Sequence, residues 1–126
     1  MPGTRTNANA TVHTIHGYNA AAVTAALFIT EWIAPYPCRI GAVKVNGRTA
    51  GTGGGNTVMD ILKNGVSIYT TTANRPTLLA TSTGEFANTN PDTKGILQGD
   101  VIALQALTVS TTGHAAVSFV VAIERA

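Results

Sequence analysis

The sequence predicts an all-β fold, an antiparallel β-sandwich of about eight short strands. Three observations carry that expectation. Apolar residues alternate with polar ones at period two, most cleanly at Ala115, Val117, Phe119, Val121 and Ile123, and no stretch shows a convincing helical period. Turn signals return roughly every eight to twelve residues, the spacing of short strands in a sandwich. The stretch from Asn56 to Thr70 reads as a β-hairpin with its turn written in the letters. Asn64-Gly65 is the two-residue loop of a type I′ turn, where both central residues need φ > 0 and Asn and Gly adopt it most cheaply.

Taken in order, residues 1–10 carry no periodicity and almost no apolar bulk. Burial cannot repay the entropy of ordering them within this domain. They form an extended N-terminal arm, and residues 11–126 form a single β-sandwich domain. Thr11 to Tyr18 is a first strand ended by Gly17, with Val12 and Ile15 as its apolar positions. Ala20 to Ala26 is a short linker or the lead of the next strand, because Val23 and Thr24 offset its helix-forming alanines. Leu27 to Ala34 is a strand with Leu27, Ile29, Glu31 and Ile33 on one face and Phe28, Thr30 and Trp32 on the other. Pro35 and Pro37 bracket Tyr36 and make a corner. Arg39 to Asn46 is a strand with Val43 and Val45 in the core and a bulge at Gly41.

Asn46-Gly47 offers a tight turn, but the glycines of residues 51–55 favour a longer loop beyond it. That loop lacks the Gly-x-x-x-x-Gly-Lys-Ser/Thr pattern of a phosphate loop and leads into a strand rather than a helix. In the hairpin, Met59 and Ile61 share one face and Val58, Asp60 and Leu62 the other, with Val66, Ile68 and Tyr69 on the return. Thr71 to Thr93 is a polar tract relieved by Leu78, Leu79 and Phe86, with room for one or two short strands. Gly99-Asp100 turns the chain into a strand over 101–109, and Thr111-Thr112-Gly113 turns it into the last. Closing the first strand against the last gives a jelly-roll-like sandwich and leaves fewer open edges.

At 126 residues the chain can bury a real core as one domain. It is 44% hydrophobic but only 11% charged, well below the roughly 25% of an ordinary soluble domain. So weakly charged a surface points to extensive contact with other protein, or to a small neutral secreted domain. Eight cations against six anions give a formal charge of +2, but they are scattered. The close pair, Lys44 and Arg48, is split by the Asn46-Gly47 signal, so no basic footprint for nucleic acid emerges. The single cysteine, Cys38, has no partner for a disulfide or a CxxC pair and reads as a small apolar residue. His13 and His16 fall on opposite faces of a strand and do not share a metal. The polar start and the interrupted apolar run over 20–34 predict no secretory signal and no membrane span, a start near Met1 and synthesis in a cytoplasm. No cofactor is expected.

Four pieces stand in a recognisable order: the Pro35-Tyr-Pro-Cys-Arg-Ile40 corner, Val58-Met-Asp-Ile-Leu-Lys-Asn-Gly65 with its return Val-Ser-Ile68, Leu97-Gln-Gly-Asp100, and the alternating last strand. Over residues 27–125 the chain resembles small jelly-roll virion proteins of tailed phages, most of all the capsid decoration, or cement, proteins. The resemblance implies a homotrimer that binds the major capsid protein at capsomer junctions on the outer shell. Such a protein is assembled from the host cytoplasm and stabilises the shell against the packaged genome. That role requires interface and no chemistry.

The expected contact residues are Arg5 in the arm, Trp32 and Tyr36, since aromatic and Arg side chains carry a disproportionate share of interface energy; ordinary core packing is the other place for Trp32. Asn64, Gly65, Gly99 and Asp100 are expected to act as structural turn residues. Catalysis is not expected, because the titratable groups are dispersed. Asp60 alternates outward, Asp100 bonds its own turn, and nothing in the sequence places Cys38 beside His114. The alternative is a phage fibre or tail-tip β-sandwich module that binds a host-surface glycan, with Tyr18 and Tyr69 as aromatic platforms.

Overall fold

The structure, a computed structural model, describes residues 11–79, 84–87, 91–109 and 111–125. Ten strands lie among the described residues: β1 Thr11–Asn19, β2 Leu27–Ile33, β3 Cys38–Thr49, β4 Thr57–Lys63, β5 Val66–Ser67, β6 Thr77–Leu78, β7 Gly84–Ala87, β8 Gly95–Ile96, β9 Val101–Thr108 and β10 Ala115–Arg125. They make two antiparallel sheets. One runs β1-β10-β3-β7 with β8 also on β3, the other β2-β9-β4-β5 with β6 also on β4. The pairings are nested: β1 with β10, β2 with β9, β3 with β8, β4 with β5. The chain is therefore one long hairpin rolled up, its tip at Asn64-Gly65, and the strand order is that of a jelly roll.

The tip follows from its residues. Asn64 has φ +52° and Gly65 φ +84°, the left-handed pair of a type I′ turn. The return strand is short for a local reason. Ile68 N still bonds Ile61 O, but Ser67 Oγ then accepts Tyr69 N, and Ile68 O accepts Asp92 N and Thr93 N. The ladder partners of the return strand are thus replaced, and β5 ends after two residues.

Between the sheets lies a single core that includes Ile15, Ile40, Val43, Val45, Met59, Ile61, Ile102, Leu104, Val117, Phe119, Val121 and Ile123. Val43 and Val45 are fully buried, as their alternation requires. The bulge at Gly41 is present. Val43 faces Val121 and Ile40 faces Ile123, so two residues of β3 oppose one of β10. A Cβ on Gly41 would lie 2.6 Å from Glu124 Oε2; its absence lets Glu124 cross the bulge to Arg39, with Nε to Oε1 3.5 Å.

Several sequence expectations are corrected. Gly17 does not end β1; the strand runs on to Asn19, and Gly17 lies where an added Cβ would come within 2.5 Å of Ile29. The faces of β2 are not a strict alternation. The register shifts between Phe28 and Thr30, so Leu27, Ile29 and Trp32 pack on the core while Phe28, Glu31 and Ile33 are exposed. Asn46-Gly47 makes no turn, because β3 continues to Thr49. Lys44 and Arg48 consequently sit on the same strand face, both exposed. Residues 20–26 are the short linker, the first of the two alternatives for this segment, and are fastened by Val23 N to His114 O and Ala26 N to Leu107 O. Asp60 does not face solvent but is 2% exposed. Arg5 and the arm over 1–10 lie outside the described residues.

Candidate interaction surface

The two turn motifs singled out in the sequence meet. Asn64 donates from Nδ2 to Asp100 Oδ1 at 2.9 Å and accepts Val101 N at Oδ1, also at 2.9 Å. Asp100 Oδ2 accepts Leu97 N. Asp100 N bonds Leu97 O across Gly99, whose φ is +90°, the position-three conformation of a type II turn. Gly99 N in turn bonds Ala34 O, and Ala34 N bonds Asp100 O. Four residues named from sequence as turn formers, Asn64, Gly65, Gly99 and Asp100, thus build one rigid end of the sandwich. The Leu97 amide, then the Asn64 amide, and then the Lys63 charge hold the Asp100 carboxyl below its ordinary value.

That turn end carries most of the exposed apolar bulk. Among the described residues eight large hydrophobics are exposed, and five of them, Val12, Ile33, Tyr36, Val66 and Leu97, lie at this end. Ile33 (66% exposed) ends β2 opposite Val101, Val66 (69%) follows the hairpin tip, and Leu97 (70%) opens the Gly99-Asp100 turn. Tyr36 stands in the corner between β2 and β3. Val12 is the second residue of β1, whose first residue, Thr11, pairs with Glu124 near the end of β10. The ten residues before Thr11 therefore join the domain at this same end.

Trp32 is half-buried and touches the core, and its ring stacks on His13 with centroids 5.0 Å apart and planes at 13°. β1 and β2 belong to different sheets, so the stack bridges two edge strands. Of the residues expected at contacts, Tyr36 lies on the turn end, Trp32 lies beneath it on the β1–β2 seam, and Arg5 is outside the described residues.

Elsewhere the buried Asp60 and His114 have structural partners, whereas the Tyr69 hydroxyl is buried without a hydrogen-bond partner among the described residues. Asp60 Oδ1 accepts Ile61 N and the Ser67 hydroxyl, and Oδ2 lies 3.6 Å from Arg75 Nε. Burial raises the Asp60 carboxyl above its ordinary value, against the opposing pull of Ser67, Arg75 and Ile61. Burial, with the Asp60 charge second, pushes the Tyr69 hydroxyl well up. The sequence signal that could have found this cluster is weak: a lone Asp at an outward position, answered by a Ser on the paired strand. Tyr69, named as an aromatic platform, is 1% exposed and presents no surface.

His114 is fully buried; its Nε2 donates to Leu79 O and its Nδ1 accepts from Thr57 Oγ1. It contacts Gly47, whereas Cys38 starts the same strand, about 30 Å away at strand rise. The two cannot form a nucleophilic pair. Burial, and secondarily Asp100, raises the Cys38 thiol. Among the described residues no group of three or more His, Cys, Asp or Glu side chains is placed to hold a metal.

No protein-family model matches the chain, and comparison with curated proteins and with solved structures finds no significant similarity.

Proposed function

We propose that this chain is a decoration protein of a tailed-phage capsid, a homotrimer seated on the major capsid protein at capsomer junctions and holding neighbouring capsomers together. The observation that carries the reading is the turn end: a stiff, doubly bonded pair of turns presenting Ile33, Tyr36, Val66 and Leu97 to solvent, with the arm joined beside it. Large apolar side chains gathered on one rigid surface are characteristic of an interaction site. The two turns that build it are among the four pieces on which the resemblance to decoration proteins rests.

The direct test is solution mass by light scattering, followed by co-sedimentation with genome-free shells of the phage that encodes the chain. A trimer that sediments with shells supports the reading, and removal of residues 1–10 is expected to weaken attachment without changing the melting of the domain. A monomer that ignores shells removes it. A second reading, a fibre or tail-tip module for a host glycan, draws on Tyr18 and Phe28. Each is 54% exposed, and they stand level across the β1–β2 seam because Gly17 abuts Ile29. Glycan-array binding abolished by Tyr18→Ala would favour it.

A further inference from the structure

We infer that Asn64 is a site of self-modification, at which Gly65 displaces ammonia from the Asn64 carboxamide when the hairpin tip opens, so that the turn end carries its own limited lifetime. The inference concerns the chemistry of the tip and does not depend on what that end binds. The chain holds two Asn-Gly pairs, Asn46-Gly47 and Asn64-Gly65. Asn before Gly is the most reactive context for this chemistry, because Gly has no side chain to keep its amide nitrogen from the carboxamide and turns most freely. By sequence the two pairs are equal. The fold makes them unequal.

Asn46 and Gly47 lie inside β3, with a strand on either side. They pair with Ser118 and Val117 of β10 and with Glu85 and Gly84 of β7. Gly47 is buried, and an added Cβ there would meet Leu78 at 3.0 Å and His114 at 3.1 Å. Turning that peptide breaks the middle of a sheet. Asn64 and Gly65 instead close the hairpin at the edge of the other sheet, both exposed, with nothing within 4 Å of an added Cβ on Gly65. The tip is tied by Asn64 N to Val101 O, by the carboxamide to Asp100 and Val101, and by the Lys63–Val66 pair. Releasing these local ties leaves the core between the sheets in place.

While the tip is closed it is protected. Ring closure requires Gly65 N to eclipse Asn64 Cβ about the Cα–C bond, but a type I′ turn sets ψ of its first central residue at about +30°, which points that nitrogen away from the side chain. Asp100 and Val101 also hold the carboxamide from both ends. Once the tip opens, hydroxide takes the Gly65 amide proton and the nitrogen bonds to Asn64 Cγ. The Cγ–Nδ2 bond breaks, and Nδ2 takes a proton from water and leaves as ammonia. Water then opens the cyclic imide. Attack at Cγ leaves an aspartate, and attack at the main-chain carbonyl leaves an isoaspartate, with the chain running through the side chain. In the first product an anionic oxygen replaces the Nδ2 donor that stood 2.9 Å from Asp100 Oδ1, and two negative acceptors repel. In the second the two-residue loop gains a backbone atom, and the Lys63–Val66 register no longer fits its turn. Either product unties the turn end irreversibly.

The test incubates the intact protein at mildly alkaline pH, folded or in guanidinium chloride, and follows both Asn-Gly pairs by peptide mapping and mass spectrometry. In the denatured chain the two pairs are expected to convert at comparable rates. In the folded protein Asn64 is expected to convert more slowly than in the denatured chain, but roughly tenfold or more faster than Asn46. Asp100→Ala, once circular dichroism shows it folded, is expected to raise the Asn64 rate roughly tenfold and to leave Asn46 as it was. Conversion of Asn46 as fast as Asn64 in the folded protein, no conversion of Asn64 while the denatured chain converts fully, or an equal rise at both pairs in the folded Asp100→Ala variant would overturn the inference. If that variant does not fold, the comparison of the two pairs in the unaltered protein decides alone.

Discussion

Asn64 does two jobs with one residue, and they can be separated. Its backbone supplies φ +52°, and its carboxamide ties the hairpin tip to Asp100 and Val101. Asn64→Gly keeps the turn conformation and loses the side-chain bonds. Asn64→Ala loses the bonds and also replaces a residue that tolerates the left-handed region with one that tolerates it poorly, at a further cost of roughly 1 kcal/mol. Chemical denaturation is expected to rank wild type above the Gly variant and the Gly variant above the Ala variant, with a total loss of about 2–3 kcal/mol for Ala. Equal losses would mean that the turn geometry is not limiting.

The carboxylates make a second residue-scale case with opposed signs. A carboxyl raised in the fold, like Asp60, binds its proton more tightly folded than unfolded. Its contribution is fully present below the ordinary Asp value and is lost as pH rises through the raised one. Asp92 and Asp100 are lowered, first by the amides of Thr71 and Leu97. Their contribution is present above the ordinary value and is lost as pH falls through the lowered ones. Stability is therefore expected to rise on mild acidification from neutrality and to fall below about pH 4. Asp60→Asn should remove the rise and keep the fall, as read by denaturant midpoints across pH.

At the scale of elements, two close approaches fix how segments lie. An added Cβ on Gly113 would stand 2.1 Å from Val23 O, in the loop that Val23 N fastens to His114 O. Backbone on one side and a hydrogen bond on the other leave it nowhere to move. Gly113→Ala is expected to cost about 1–3 kcal/mol, whereas at Gly54 nothing lies within 4 Å and Gly54→Ala should be nearly neutral. A thermal melt of the two variants separates the cases. These approaches mark the limit of what the letters show. The hairpin tip is legible because Asn-Gly encodes a backbone requirement, and the core of β10 is legible because its alternation runs through the strand. The faces of β2 are not legible, since the register shift at Phe28–Thr30 leaves no mark in an apolar run. Asp60 lies opposite Met59 and Ile61 by period two, but it is buried rather than exposed because Ser67 and Arg75 cover it, a contact that sequence spacing does not encode. The turn end is half legible: each turn is written locally, but their contact, and the crowding of Ile33, Val66 and Leu97 around it, comes only from the roll of the whole chain.

For the molecule as a whole, the nested pairing sets an order of difficulty for folding. The β4–β5 tip closes a two-residue loop, while β1 and β10 bring together residues about a hundred positions apart. On loop entropy alone, joining Ile15 to Val121 costs roughly 2–3 kcal/mol more than joining Ile61 to Ile68. Closing the inner pairs first shortens each later loop, so the roll forms most easily from the tip outward. Ile61 and Ile15 are both buried core residues, and replacing either with Val should cost about 1 kcal/mol of stability. The kinetic consequences should differ. Ile61→Val is expected mainly to slow folding and Ile15→Val mainly to speed unfolding, because the tip is structured in the transition state and the outermost pair is not. Chevron plots of the two variants decide the matter. If Ile15→Val instead slows folding as much as Ile61→Val does, the first and last strands meet early, and the jelly roll closes from its open end rather than from the Asn64-Gly65 turn.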